Sequence, residues 1–263
     1  MKLPEFKTIA ERIAYLVRNK KELTEMKKAA IKLTDCYGVG LAEALAMKAL
    51  NTHHVDDLPS GVIKRTIIGN TYNWMDSHSD VHGDSVFSKS IEERGDKVFH
   101  LRDHEQKISA KVGKPVKIYE KEVAWKDLGV DHPGKTVALF MDSEIIKDYN
   151  PQVFGQYLRK EVDQHSVGMI YVKIELAVND PEMKVEYAVW NKVINNIANK
   201  QRAIDQGFFW FVGEAKLIEI SAVLAGSNEL TPTVNNEKEM PKVEAEVVAE
   251  KGIDYGALVN KLD

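Results

Sequence analysis

The chain has 263 residues, 44% of them hydrophobic and 29% charged, with a net charge of -4, the profile of a globular protein able to bury one substantial core. That balance excludes a general nucleic-acid binder, whose mark is a strong basic excess, and no apolar run is long enough to span a bilayer. The lone cysteine, Cys36, excludes an internal disulfide framework; in Asp35-Cys36-Tyr37-Gly38, with no histidine nearby, it reads as a packed thiol.

Residues 1–60 read as a helical N-terminal extension. Its opening, Met1 to Lys7, lacks the apolar core of a signal peptide. Thr8 and Glu11 have the spacing of a capping box, after which Ile9, Ile13, Leu16 and Val17 recur at helical intervals. A second helix is expected to turn Leu23, Met26, Ala30 and Leu33 inward, and a third to run from Leu41 to Leu50 beyond the Gly38/Gly40 break. Residues 1–34 hold nine basic and four acidic side chains, which fits a solvated helical face.

From Gly61 the pattern changes to strands: Val62–Gly69, Val116–Tyr119, Lys135–Phe140, Ser166–Val178 and the segment around Leu217–Val223. The period of two in Ser166–Val178 is expected to bury the even positions throughout, placing Ser166 at the head of the inward row with open space beside Gly168. Helices are expected at Ser85–Arg94, after the Asn150-Pro151 cap, and from Asp180-Pro181 to Gly207, the longest. Residues 235–263, with seven acidic and four basic side chains, read as a flexible acidic tail.

Three residues carry the candidate chemistry. Glu219 lies in Leu217-Ile218-Glu219-Ile220-Ser221-Ala222-Val223, apolar on both faces, so its carboxylate needs a partner. Orienting an imidazole is one such role; a structural ion pair with a lysine or arginine is the other. Ser166 is a candidate nucleophile, against the reading of an inert strand-end serine. His104 is the candidate base, with His100 as the alternative on what alternation makes the same strand face. His165, adjacent to Ser166, should project away from it. Hydroxyl, imidazole and carboxylate are the parts of a hydrolase triad in any chain order.

The run Asp76-Ser77-His78-Ser79-Asp80-Val81-His82-Gly83-Asp84 could gather metal ligands. It fails as an EF-hand loop: Val81 and Phe87 occupy the glycine and glutamate positions counted from Asp76. A polar turn is the simpler reading, with a metal-dependent hydrolase centred on Asp76, His78, Asp80 and His82 as an alternative.

The order of these elements resembles the tailed-phage prohead (capsid maturation) serine proteases. The Asp-containing turn runs into a Phe-bearing helix, Asp103-His104 and Ser166-x-Gly168 follow, and Leu217–Ser221 leads into Gly226-Ser-Asn-Glu-Leu-Thr-Pro232. The resemblance covers about 62–234 and implies a protease domain over 61–234, a compact closed β-barrel of the assemblin type decorated by helices, hence an α+β class. It implies Ser166, His104 and Glu219 as the catalytic triad, with no cofactor and no metal. It also implies work inside the procapsid, assembled in the host bacterial cytoplasm. There the family cuts scaffold protein or the capsid-protein extension, commonly cuts itself, and self-associates; neither nucleic acid nor membrane is an expected partner. A non-catalytic head-assembly protein on the same fold is the rival reading.

Overall fold

The structure, a computed structural model, describes residues 4–30 and 61–234. The helix expected at Leu41–Leu50, the inward placement of Leu33, the setting of Cys36 and the acidic tail at 235–263 lie outside the described residues.

Two short helices come first, α1 (Ile9–Arg18) and α2 (Lys20–Ala29). The Thr8 side chain accepts the Glu11 N–H at 3.1 Å, and the Glu11 carboxylate reaches back to the Lys7 N–H at 3.0 Å. The box therefore closes one residue early. Leu16 and Leu23 enter the same apolar cluster as the sheet residues Ile174 and Val178. Met26, expected inside, is about half exposed.

The strands are β1 (Val62–Thr71), β2 (Asp80–His82), β3 (Phe99–Arg102), β4 (Lys111–Ala124), β5 (Lys135–Ile146), β6 (His165–Val178), β7 (Phe208–Ala222) and β8 (Thr233–Val234). Between them lie α3 (Ser88–Arg94), α4 (Pro151–Leu158), α5 (Lys184–Val193) and α6 (Lys200–Gln206). The result is α+β, a mixed sheet in the order β2-β7-β3-β4-β5-β1-β8, with β6 on the other edge of β7. β7 is the organiser: β6 runs antiparallel along one edge, while β2 and β3 share the other edge, both parallel to it.

The expected closed barrel is not formed. No ladder joins β6 to β1. The chain at 231–234 lies there instead, and it holds the two sides mostly through single hydrogen bonds. The His165 N–H reaches Thr231 Oγ1 at 3.2 Å, Thr233 Oγ1 donates to the Val162 carbonyl at 2.7 Å, and the Ile68 N–H meets the Pro232 carbonyl at 3.0 Å. Pro232 has no N–H with which to continue a ladder, so closure stops at a two-residue strand.

The Asp180–Gly207 helix is broken. A 3-10 turn at Ile194–Asn196 and an extended Ile197 separate α5 from α6. The break lets Asn199 clamp the Met75 backbone, donating to its carbonyl at 2.9 Å and accepting its N–H at 2.8 Å. Ile197 meanwhile joins Trp190, Val193 and Phe209 in a second apolar cluster. Gly207 ends α6 with φ +79, the left-handed stop that glycine supplies. Among the described residues, no helix is long and apolar enough to cross a membrane.

One irregularity decides where the candidate site lies. Along β6 the core takes Val167, Met169 and Tyr171, then Ile174, Leu176 and Val178. The register shifts around Tyr171–Ile174 reverse the phase, as an extra residue in one strand must. The even row is therefore not buried in the core throughout: Ser166 and Gly168 face away from it.

Candidate active site

Opposite residues in a ladder share a face, so the registers place the groups directly. Ser166 pairs with Ser221 and Gly168 with Glu219 across β6–β7, while Phe99 pairs with Glu219 and Leu101 with Ser221 across β3–β7. Ser166, Gly168, Glu219 and Ser221 thus occupy one face, opposite the core residues Val167 and Ile220. Gly168 does not leave open space. A Cβ there would stand 2.9 Å from Cδ and 3.0 Å from Cγ of Glu219, so the carboxylate fills the place a side chain would take.

His104 reaches this face by leaving the strand. The Asp103 N–H donates to the Ala222 carbonyl at 2.9 Å and the Glu105 N–H to the Arg102 carbonyl at 3.1 Å. Within that turn Asp103 and His104 both adopt left-handed backbone, φ 51 and 55. Each such non-glycine residue costs about 1–2 kcal/mol, and two in succession need outside support. Ser221 and Glu219 give it. The His104 N–H donates to Ser221 Oγ at 3.1 Å, and its ring Nδ1 meets Glu219 Oε1 at 2.5 Å. Ser221 Oγ in turn donates to Glu219 Oε2 at 2.6 Å, so both carboxylate oxygens are engaged.

Glu219 is fully buried, and Ser166 and His104 keep only 5% and 6% of their surfaces. A carboxylate so placed acts as acceptor, which assigns the Nδ1 proton of a neutral His104 to that bond and leaves Nε2 as the basic nitrogen. The cross-strand neighbour of Ser166 is the same Ser221 that holds the His104 backbone. The structure thus brings His104 and Glu219 into direct contact and sets Ser166 beside them on one sheet face.

His100 is not part of this group. Strand alternation ends at Arg102, so the shared face expected for His100 and His104 is lost, and His100 points into the core beside Ile220. Its Nδ1 meets Ser143 Oγ at 2.9 Å and its Nε2 the Tyr157 hydroxyl at 3.0 Å; that hydroxyl meets His165 Nε2 at 2.9 Å, and His165 Nδ1 the Thr231 carbonyl at 2.9 Å. The carbonyl can only accept, which fixes every proton in the chain. His165 Nδ1 donates to Thr231, Tyr157 to His165, His100 Nε2 to Tyr157, and Ser143 to His100 Nδ1. Burial pushes the His165 pKa down to about 4, opposed by its bond to Thr231, and pushes that of His100 well below the usual imidazole range, helped by His165. Both rings serve as neutral core braces.

Of the Asp76–His82 segment, Asp76–Ser79 form a turn and Asp80–His82 are β2. Asp76 Oδ1 accepts the N–H groups of His78 and Asp80 at 2.8 and 2.9 Å. Asp80 binds Lys27 Nζ at 2.6 Å and the Tyr171 hydroxyl, and the His82 ring stacks on Phe87. Among the described residues, no three His, Cys, Asp or Glu side chains gather as metal ligands.

Two cavities flank the turn that carries His104. One, about 280 Å³, is lined by Phe99, Leu101, Ile108 and Ile218 and touches Glu219; the other, about 240 Å³, lies by Arg102, Gln156 and Asp163. Sequence reasoning passed over Ser221 and the cavity wall of Phe99 and Leu101. The signal for Ser221 was present: two positions from Glu219 on a strand, it had to share that face. Comparison with protein-family models, with curated proteins and with solved structures finds no match to this chain.

Proposed function

We propose that this chain is a serine endopeptidase in which Ser166 is the nucleophile, His104 the general base and Glu219 the group that orients His104. The observation that carries this reading is the buried Glu219–His104 hydrogen bond, on the sheet face to which Ser166 belongs. Ser166 Oγ attacks the scissile carbonyl as its proton passes to His104 Nε2. The imidazolium then protonates the leaving amine, and water releases the acyl-enzyme by the same route. Glu219 holds the productive tautomer and stabilises the imidazolium while remaining ionised. Ser221 positions both partners. The left-handed turn at Asp103–His104 is the sort of local strain that collects at working sites.

The resemblance to the prohead proteases supplies the substrate class: scaffold protein or the scaffold-like extension of a capsid protein, met inside a procapsid by self-associating copies of this chain. Lining of one flanking cavity by apolar side chains suits recognition of an extended peptide. The reaction needs no cofactor.

The test is co-expression of wild type or Ser166→Ala with the head proteins, alongside labelling by a fluorophosphonate probe. Processing and labelling by the wild type, and neither by Ser166→Ala, is the expected result. Equal processing by the two would remove Ser166 as nucleophile. Absence of both in correctly assembled wild-type particles would favour an inert head-assembly protein on this fold.

A further inference from the structure

The apolar cavity beside Glu219 has a feature that catalysis alone does not require. Its outer wall is exposed: Ile108 shows 89% of its surface and Phe99 47%. Exposed aliphatic and aromatic groups around a concave site mark a place where something binds. The rim is basic. Lys111 lies with its ammonium 5.5 Å from the centre of the Phe99 ring, and Lys107 stands at the other side, 3.6 Å from Glu105. An engineered apolar cavity of about 150 Å³ holds a benzene ring, so about 280 Å³ accommodates two small aliphatic side chains.

An occupant matching this description has adjacent aliphatic side chains flanked by carboxylates. The sequence contains one at Glu244-Ala245-Glu246-Val247-Val248-Ala249-Glu250. It is also within reach. Val234 on β8 pairs with Thr66, which pairs with Asp142, which pairs with Lys117, while the cavity lies at Lys111 on the same strand β4. Three strand spacings give about 14 Å across the sheet and six residues about 20 Å along it. The thirteen residues from Val234 to Val247 span up to about 43 Å.

We propose that the cavity formed by Phe99, Leu101, Ile108 and Ile218 is a binding site for this chain's own Glu244–Glu250 segment. Val247 and Val248 fill it, and the flanking glutamates meet Lys107 and Lys111. Because Glu219 borders the cavity, a bound segment lies against the triad and competes with other peptides. The binding itself does not depend on Ser166 being a nucleophile; only the competition rests on the proposed function.

The experiment uses the full chain with Ser166→Ala, so that no cutting intervenes, and p-benzoylphenylalanine at position 108. After irradiation, peptide mapping is expected to find cross-links within residues 244–250. Val247→Asp with Val248→Asp should reduce their yield at least fivefold. Lys111→Glu should lower it severalfold, and Glu246→Lys should restore it. Cross-links confined to other segments or other proteins, or a yield indifferent to the valine changes, would overturn the proposal. If the cross-links form as expected but the wild type proves inert toward the fluorophosphonate, the docking site stands and the protease reading falls.

Discussion

The carboxylate of Glu219 lies over the bare backbone of Gly168, its partner across the β6–β7 ladder. This contact ties the serine's strand to the histidine's orienter. Gly168→Ala would drive a methyl group into Glu219, a small overpacking that costs about 1–3 kcal/mol. The expected outcome is a folded protein with a lowered Tm and fluorophosphonate labelling slower by at least tenfold, because the displaced carboxylate no longer holds His104. Labelling at the wild-type rate would show that Glu219 does not set the position of the ring.

Glu219→Gln keeps the shape and removes the charge. In a triad the matching change leaves the imidazole in the wrong tautomer and lowers turnover by about 10⁴. We expect a loss of 10³-fold or more in peptide cleavage. His104→Ala with Glu219→Gln should be no worse than His104→Ala alone, since residues acting as one unit are not additive. Additive losses in the double variant would argue for separate structural roles.

Ser221→Ala removes the donor to Glu219 Oε2 and the acceptor for the His104 N–H. Two buried polar atoms then lose a partner, at about 1–3 kcal/mol each. Urea unfolding should register that loss. Cleavage should fall by roughly tenfold or more, with Ser221→Thr recovering part of it. A stability loss with unchanged cleavage would confine Ser221 to structure.

The Ser143–His100–Tyr157–His165–Thr231 chain predicts an acid-labile core. Both imidazoles are held below the usual value of about 6.5, so the unfolded chain binds protons that the folded one refuses. Their stabilisation is complete above about pH 6.5 and is lost as pH falls below it, for His165 down to about pH 4. For His165, a drop from about 6.5 to about 4 corresponds to roughly 3 kcal/mol. Urea midpoints measured from pH 7.5 to 4 should decline over that window. A flat profile would mean that the rings are not neutral in the folded state.

Lys27 reaches from α2 to the fully buried Asp80, with its ammonium 5.4 Å from the ring centres of both Tyr171 and Trp210. Removing one member of a buried pair strands the other, at about 3–5 kcal/mol. Lys27→Met should lower the Tm by about ten degrees, whereas Lys27→Met with Asp80→Asn should recover much of that. A Tm insensitive to Lys27→Met would show that α2 does not brace the sheet.

Local chemistry was enough to read most elements from the sequence. Thr8, Asn150-Pro151 and Gly207 mark their helix ends through caps that act within four residues, strand-forming runs located β1 and β5, and alternation located β6. Glu219 was legible for a related reason: a carboxylate between apolar neighbours must be buried, and a buried carboxylate must be matched. What alternation could not supply was phase. The register shifts near Tyr171–Ile174 reverse the faces of β6, and the left-handed turn at Asp103–His104 carries the ring to the face that His100 avoids. Neither depends on a residue type that announces it.

The sequence by itself determined that Glu219 demands a partner, an imidazole or else a lysine or arginine. Which one it found, and that Asp80, His100 and His165 are buried and matched as well, was decided by the tertiary structure. A broken helix frees Asn199, a ladder that stops at Pro232 leaves the barrel open, and a glycine opposite Glu219 gives its carboxylate somewhere to lie. The physical reason is range. Capping and burial preferences act over a few residues, whereas register and closure follow from long-range packing among strands far apart in the chain.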